Sequence, residues 1–228
     1  MRLSDTGNFS VFKTFDCGQC FRFDSVEDEN FEHRVDGVAF GRSVSFAQRD
    51  GDLYIRTNEE DFHNIWKNYL QLEVDYNAID KRIVEALPEN DQSHMQLAVE
   101  TGRGIRILRQ DPWEALCSFI VSQNNNIPRI KKIISAMSEK YGEDLGGVYS
   151  FPTAKALYEA GEEEIFALRT GFRAKYIFDA AKKVSSGELD LSKVANAETY
   201  EEAAELLATT YHELREGVSA EGMRIEKP

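Results

Sequence analysis

Two cysteines separated by two residues, Cys17 and Cys20, are the first side chains in this sequence that could do chemistry. Such a pair serves either as a dithiol redox pair or as half of a zinc site. A zinc site needs about four ligands. The remaining cysteine and the histidines are scattered singly along the chain: Cys117, His33, His63, His94 and His212. This spacing disfavours zinc.

The sequence after the pair disfavours a redox role as well. A redox pair of this kind sits where a strand runs into a helix. Residues 21–24 instead alternate apolar and charged side chains, which is typical of a strand. The third interpretation is that both cysteines are packing residues around Gly18, since glycine permits a backbone conformation or a close approach that other residues do not.

Composition limits the class of protein. The chain has 228 residues, of which 42% are hydrophobic and 29% charged, as in a globular protein. It contains no apolar run of about 20 residues, and its first twenty residues lack the apolar stretch of a signal peptide. Three cysteines are too few for a disulfide framework, so we predict a cytoplasmic location without membrane association.

The elements that position these residues fall into two parts. Residues 8–57 are predicted to form short strands, in the segments "VFKTFDC", "CFRF", "RVDGVAF", "SVSFAQ" and "LYIRT". Asp50-Gly51 predicts a hairpin turn. Helical spacing begins after Asp61, and "PENDQS" at 88–93 is predicted to be a linker to a helical second part.

The second part contains three consecutive asparagines between two predicted helices. Asp111 followed by a proline predicts the start of the first helix, which must stop at the asparagines. Asn126 can cap the next helix, and Gly142 ends it. Asn124 and its neighbours therefore occupy a tight turn.

Positive charge is concentrated next to this turn, although the formal net charge is -13. Residues 101–134 carry six Arg or Lys against two acids, and residues 169–183 carry five against one. A charge run is usually only a solvated face. Here it coincides with the asparagines and with Gly171-Phe172-Arg173, and amides and guanidinium groups make directed contacts with base edges.

The segments "CGQCFRF", "LRQDPWEALCSFIVSQNNNIPRI" and "TGFRAKY", in this order, resemble the 8-oxoguanine DNA glycosylase family of the helix-hairpin-helix superfamily. The resemblance implies an α+β fold: a twisted antiparallel β domain (TBP-like) at 1–91 and an all-α glycosylase domain at 92–228. It further implies a monomer without cofactor or metal, which binds double-stranded DNA containing an oxidised purine across the junction of the domains.

The resemblance also assigns roles to individual residues. The carbonyl of Gly18 would accept the N7 hydrogen that 8-oxoguanine has and guanine lacks. Asn124 would fill the gap left by the flipped lesion, and Arg129 and Arg173 would hydrogen-bond to the opposite cytosine. Phe172 would act as an aromatic wedge beside that cytosine.

The catalytic segment of the family is expected after Leu207. It contains a Gly-rich hairpin, a lysine that forms a Schiff base with the sugar, and an aspartate. This sequence has no such hairpin and no aspartate after Asp190, and neither Lys193 nor Lys227 matches the lysine. We therefore predict that the helical domain is incomplete after about residue 208, through truncation or a frameshift.

Two functions follow. The first is an 8-oxoguanine N-glycosylase and AP lyase of base-excision repair that acts opposite cytosine. The second is an inactive damaged-DNA-binding remnant that keeps the opposite-base reader. Because the catalytic residues are not found, we expect this chain to be inactive. A redox or metal protein built on the cysteine pair is the third and weakest alternative.

Overall fold

The chain folds as two units, and the computed structural model describes residues 1–4, 6, 8–199 and 201–207 of it. The first unit is Met1–Gln110 and the second is Asp111–Pro228. An antiparallel sheet lies in the first unit and helices make up most of the second, so the predicted α+β class is confirmed.

The sheet of the first unit has five antiparallel strands in the order β1-β5-β4-β3-β2. The strands are β1 (Arg2–Leu3), β2 (Phe23–Ser25), β3 (His33–Ala39), β4 (Arg42–Arg49) and β5 (Asp52–Arg56). Between β4 and β5, Asp50 and Gly51 have φ of 52° and 81°. A two-residue hairpin turn of type I′ requires positive φ at both of its central residues. The predicted turn is therefore confirmed.

The first predicted strand is wrong, because "VFKTFDC" begins with the helix α1 (Val11–Asp16). The Ser10 side chain caps this helix by accepting a hydrogen bond from the backbone N–H of Lys13 at 3.2 Å. Its buried residues, Val11, Thr14 and Phe15, follow the three- and four-residue spacing of a helix. The predicted strand at "CFRF" is also shifted, since β2 begins only at Phe23.

Aromatic side chains form much of the core of the first unit. The ring of Phe46 on β4 lies 5.2 Å from that of Phe15 and 5.6 Å from that of Trp66, measured between centroids. Phe15 in turn lies 4.6 Å from Phe23. Helix α1 is therefore fixed against the sheet, and so is the start of the loop that follows it.

The remaining helices of the first unit follow the sheet. They are α2 (Glu59–Asp61), a π-helical turn (Phe62–Trp66), α3 (Lys67–Tyr69), α4 (Tyr76–Glu85) and α5 (Glu89–Gly102). The linker predicted at 88–93 is wrong, because Pro88 and the residues after it start α5. The residues after α5 still belong to the first unit, since the backbone N–H of Ser10 donates to the carbonyl of Gly104 at 2.9 Å. The two compact units meet at Gln110 and Asp111.

The second unit is built from helices, with one isolated bridge between Asp144 and Tyr149 among its described residues. The helices are α6 (Pro112–Ser122), α7 (Ile127–Tyr141), α8 (Ala154–Ala160), α9 (Glu162–Ile165), α10 (Ala174–Ser186) and α11 (Leu191–Ala195). The predicted caps are confirmed: Asp111 accepts from the N–H of Glu114 at 2.9 Å, and Asn126 accepts from that of Arg129 at 3.0 Å.

A kinked segment joins α9 to α10. It consists of a π-helical turn (Phe166–Thr170) and a 3-10 turn (Gly171–Arg173). Arg169 and Gly171 both have left-handed φ, of 65° and 63°. The predicted incompleteness after about residue 208 lies outside the described residues. No helix within the described ranges is long and apolar enough to cross a membrane.

Candidate nucleic-acid interface

The asparagine turn of the second unit presents an exposed amide side chain. Asn124 lies between α6 and α7 with a left-handed φ of 48°, and its side chain is exposed. Asparagine tolerates this conformation better than most residues do. The next residue is anchored inward, because Asn125 Nδ2 donates to the carbonyl of Val121 at 3.1 Å. The turn is thereby fixed while the Asn124 amide stays available.

Arg173 holds the turn from behind. Its Nε donates to the carbonyl of Gln123 at 2.8 Å, and its Nη2 donates to the carbonyls of both Gln123 and Asn124, the latter at 2.9 Å. Its Nη1 donates to the carbonyl of Thr170 at 3.2 Å. The residue is only 4% exposed. Its donors are thus engaged with protein carbonyls, which makes it a support of the turn.

An exposed aromatic ring lies on this arginine. The guanidinium carbon of Arg173 is 4.4 Å from the ring centroid of Phe172, and the rings of Phe172 and Tyr176 form a T-shaped pair with centroids 6.5 Å apart. Phe172 is 42% exposed. A phenyl ring fixed by cation–π contact and still exposed can insert between or beside bases.

Arg129 is the exposed arginine of the cluster. It lies in the first turn of α7, and its Nη2 donates to the carbonyl of Arg169 at 3.4 Å. Burial, and then the nearby charge of Arg129, lower the pKa of Arg173. Two guanidinium groups this close repel each other, and an anion or a row of base acceptors would relieve the repulsion.

The structure therefore brings together four of the residues that the sequence singled out. Asn124, Arg129, Phe172 and Arg173 form one cluster in the second unit, which we call the asparagine-turn cluster. It offers an amide, a guanidinium group and an aromatic ring to solvent, with a second guanidinium group beneath. Such a set can hydrogen-bond to a base edge and stack on a neighbouring base.

Gly18 lies in the first unit, in the loop that follows α1. It has a left-handed φ of 81°, which favours glycine. The next residue fixes the loop: Gln19 Nε2 donates to the carbonyls of Thr14 and Arg106, both at 2.8 Å, and its Oε1 accepts from the N–H of Leu108 at 2.9 Å. The carbonyl of Gln19 itself accepts from the side chain of Gln110 at 2.7 Å.

The cysteines have packing and capping roles. Cys17 ends α1, where its Sγ donates to the carbonyl of Thr14 at 3.3 Å, and Cys20 is buried in the core of the first unit. In the second unit, burial raises the pKa of the Cys117 thiol. All three are thiols. Within the described ranges, no three His, Cys, Asp or Glu side chains come together as a metal site would require.

Sequence reasoning missed two residues of these sites. No local sequence pattern indicated the role of Gln19, because two of its hydrogen-bond partners lie 87 and 89 residues further along the chain. Arg169 had a partial signal, since it stands two residues before Gly171 in a basic window, but its left-handed backbone depends on the kink and could not be predicted from charge.

Two families match the chain along most of its length. Residues 3–116 match the family described as 8-oxoguanine DNA glycosylase, N-terminal domain. Residues 117–221 match the HhH-GPD superfamily base excision DNA repair protein. The junction of the two matches falls close to the unit boundary at Gln110.

Curated relatives and solved structures agree with these families. The N-glycosylase/DNA lyase OGG1 of Arabidopsis thaliana is 32% identical over 72% of this chain and 45% of its own length. The N-glycosylase/DNA lyase of Saccharomyces cerevisiae is 39% identical over 43% of this chain and 27% of its own length. The chain therefore spans less than half the length of these two curated relatives.

Two of the similar structures contain DNA. MBOgg1 in complex with a low-affinity DNA ligand is 40% identical, with a TM-score of 0.81 over 92% of this chain and 70% of that one. The Clostridium acetobutylicum 8-oxoguanine glycosylase/lyase, in complex with double-stranded DNA containing cytosine opposite 8-oxoG, is 39% identical, with a TM-score of 0.78 over 89% of this chain and 68% of that one.

Proposed function

The chain belongs to the 8-oxoguanine DNA glycosylase family, and on this premise we propose that it acts in base-excision repair by binding double-stranded DNA and recognising 8-oxoguanine opposite cytosine. The family predicted from the sequence segments is thereby confirmed. The activity of its relatives, glycosylase and lyase by name, comes to this chain as a proposal.

The asparagine-turn cluster is the observation that carries this proposal. Flipping a base out of a duplex leaves an unpaired partner and a gap in the stack, at a cost of a few kcal/mol. The exposed amide of Asn124 is proposed to fill the gap, and the exposed guanidinium of Arg129 to donate to acceptors of the cytosine. Phe172 is proposed to stack beside the cytosine and so offset part of the unstacking cost. Arg173, buried beneath them, keeps the amide in place.

Gly18 is proposed to read the lesion. Its carbonyl would accept the N7 hydrogen of 8-oxoguanine, whereas guanine would leave this acceptor unpaired. A lost hydrogen bond to a desolvated acceptor costs about 1–3 kcal/mol, which is sufficient for discrimination. The left-handed backbone at Gly18 and the bonds of Gln19 keep the loop in one conformation.

For catalysis we propose that the described residues bind and recognise the substrate without supplying the Schiff-base lysine. An attacking amine must be deprotonated, which burial or neighbouring cations favour. Lys193 is exposed on the short helix α11, three residues after Asp190. Lys227 lies outside the described residues.

Borohydride trapping on a duplex containing an 8-oxoguanine:cytosine pair tests the proposal. The protein is incubated with the labelled duplex and borohydride, and a mobility-shift assay is run in parallel. We expect a shifted complex and no covalent band on the denaturing gel. A covalent band would overturn the non-catalytic part of the proposal, and a preference for undamaged over damaged duplex would overturn the recognition part.

The remaining proposals concern the oligomeric state and the cellular location of the protein. We propose that the protein acts as a cytoplasmic monomer without cofactor, since three thiols suit a reducing compartment. A concentration series in analytical ultracentrifugation tests the monomer, and a fluorescent fusion tests the location.

A further inference from the structure

We infer that Arg169 is an additional DNA contact, which binds a backbone phosphate beside the asparagine-turn cluster. This inference rests on the proposed DNA-binding function and adds to it a residue that carries affinity without base specificity. It is carried by three features of Arg169: its backbone conformation, its lack of an ion pair within the described part of the chain, and its position next to Arg129.

The backbone of Arg169 is in a conformation that disfavours arginine. Its φ of 65° and ψ of 26° lie in the left-handed region, inside the kink between α9 and α10. A Cβ in this region approaches the neighbouring carbonyl oxygen, so glycine or asparagine would fit with less strain. Strained residues of this kind persist where the surrounding structure determines them, and they cluster at functional sites.

Three lysines of the second unit are ion-paired with carboxylates, whereas Arg169, like Arg129, has no such pair among the described residues. Lys155 pairs with Glu159 at 3.7 Å and Lys183 pairs with Asp179 at 2.7 Å. Arg169 is exposed, and no carboxylate in the part of the chain that the structure describes forms an ion pair with it. An exposed arginine without an acidic partner among the described residues is available to an external anion.

Its position places that anion beside the cluster. The carbonyl of Arg169 accepts from Nη2 of Arg129 at 3.4 Å, and the carbonyl of the next residue, Thr170, accepts from Nη1 of Arg173 at 3.2 Å. The kink is thus tied to both arginines of the cluster. We therefore expect Arg169 to meet a backbone phosphate of a duplex whose cytosine contacts Arg129, since guanidinium groups bind phosphates strongly.

The test is the salt dependence of binding to an 8-oxoguanine:cytosine duplex, followed by fluorescence anisotropy. One phosphate contact contributes about 0.9 to the slope of log affinity against log salt concentration. The affinity ratio of wild type to Arg169→Ala should therefore fall by about 3.5-fold between 50 and 200 mM salt. The loss should be the same opposite all four bases, since phosphates carry no sequence information.

Two variants control for charge alone. Arg169→Lys keeps the cation and should keep most of the slope. Lys155→Ala removes one positive charge from an exposed face of the same unit and should leave the slope unchanged. If Lys155→Ala changes the slope as much as Arg169→Ala does, the effect is one of net charge and the inference is wrong.

A stability measurement separates binding from a structural role. Arg169→Gly relieves the left-handed strain, so its Tm should equal or exceed that of Arg169→Ala by about 2 °C. A Tm well below that of the wild type would mean that the arginine is kept for packing, which overturns the inference. If the wild type binds the duplex and Arg169→Ala leaves the salt slope unchanged, the phosphate contact of Arg169 is refuted and the proposed function stands. If the wild type does not bind, the proposed function is refuted as well.

Discussion

At the scale of single residues, the two arginines of the asparagine-turn cluster have different roles. Arg129 is exposed, and its side chain donates to the carbonyl of Arg169, whereas Arg173 is buried and bound to the carbonyls of the asparagine turn. The resemblance assigns both to the cytosine. In this chain the donors of Arg173 are hydrogen-bonded to protein carbonyls. Substitutions of Arg129 and of Arg173 should therefore have different effects.

Arg129→Ala should weaken discrimination for cytosine without destabilising the fold. A directed arginine–base contact accounts for about 1–3 kcal/mol of discrimination. Binding to duplexes with the lesion opposite each of the four bases measures this quantity, and the free energy of unfolding should stay within about 0.5 kcal/mol of wild type. An equal loss opposite every base would show that Arg129 contacts only phosphate.

Arg173→Ala should instead destabilise the second unit, by about 2–4 kcal/mol, because it removes the donors to the carbonyls of Gln123, Asn124 and Thr170 and leaves a cavity where the buried side chain was. Arg173→Lys restores a charge but only part of the hydrogen bonding, so its loss should be smaller. Urea unfolding measures both, with Arg129→Ala as the exposed control. An unfolding free energy equal to that of wild type for Arg173→Ala would refute the supporting role.

Gln19→Ala should reduce the preference for 8-oxoguanine over guanine by about 1 kcal/mol, since the loop that carries Gly18 loses three hydrogen bonds. The preference for cytosine opposite the lesion should not change. Competition binding with the two bases measures the effect. Gln92→Ala, which also removes an amide-to-carbonyl bond in the first unit, is the matched control; an equal effect there would contradict the role of Gln19.

At the scale of elements, the sequence predicted best where caps and periodicity agree. Helices α6 and α7 were predicted from Asp111, Asn126 and Gly142, and the structure has all three at those ends. Helix α1 was missed because its apolar residues are few enough to fit a strand as well. Helix α5 was missed because it has no buried residue, so no apolar period marks it and its polar start resembles a linker.

The supporting contacts of the sites could not be predicted, because they join distant parts of the chain. The sequence indicated the asparagine turn, but the bond from Arg173 to Asn124 spans 49 residues. The bonds of Gln19 to the segment after α5 span still more. Local chemistry therefore identifies which side chains face solvent, while the groups that hold them depend on tertiary packing.

The segment after α5, which contains Gly104, leads to a separate prediction. Gly104 has a φ of 99°, and a Cβ there would lie 2.7 Å from the carbonyl oxygen of Asn8. Gly104→Ala should therefore cost about 2–4 kcal/mol of stability. Gly102→Ala meets no atom within 4 Å and is the matched control, expected within about 0.5 kcal/mol of wild type. Equal unfolding midpoints for the two variants would contradict the anchoring of α1 by this segment.

At the scale of the whole molecule, charge is distributed unevenly. The chain is acidic, with a net charge of -13, yet the windows around the asparagine-turn cluster are basic. General acidity repels DNA from most of the surface, whereas a local basic face attracts it. This distribution suits a protein that binds DNA in one orientation.

The division into units can be tested by dissecting the chain. Residues 1–110 contain the hydrophobic core cluster of the first unit, including Leu108, and the carbonyl of Gly104 that accepts from Ser10 and from Thr14. We expect this fragment to fold alone, with a cooperative thermal transition by circular dichroism. The fragment 1–91, cut where the sequence placed the boundary, loses three partners of Gln19: Arg106, Leu108 and Gln110. It should therefore melt without cooperativity, because its core is open and the loop of Gly18 is unsupported. A cooperative transition of 1–91 at the same temperature as that of 1–110 would place the boundary back at the end of the predicted β domain.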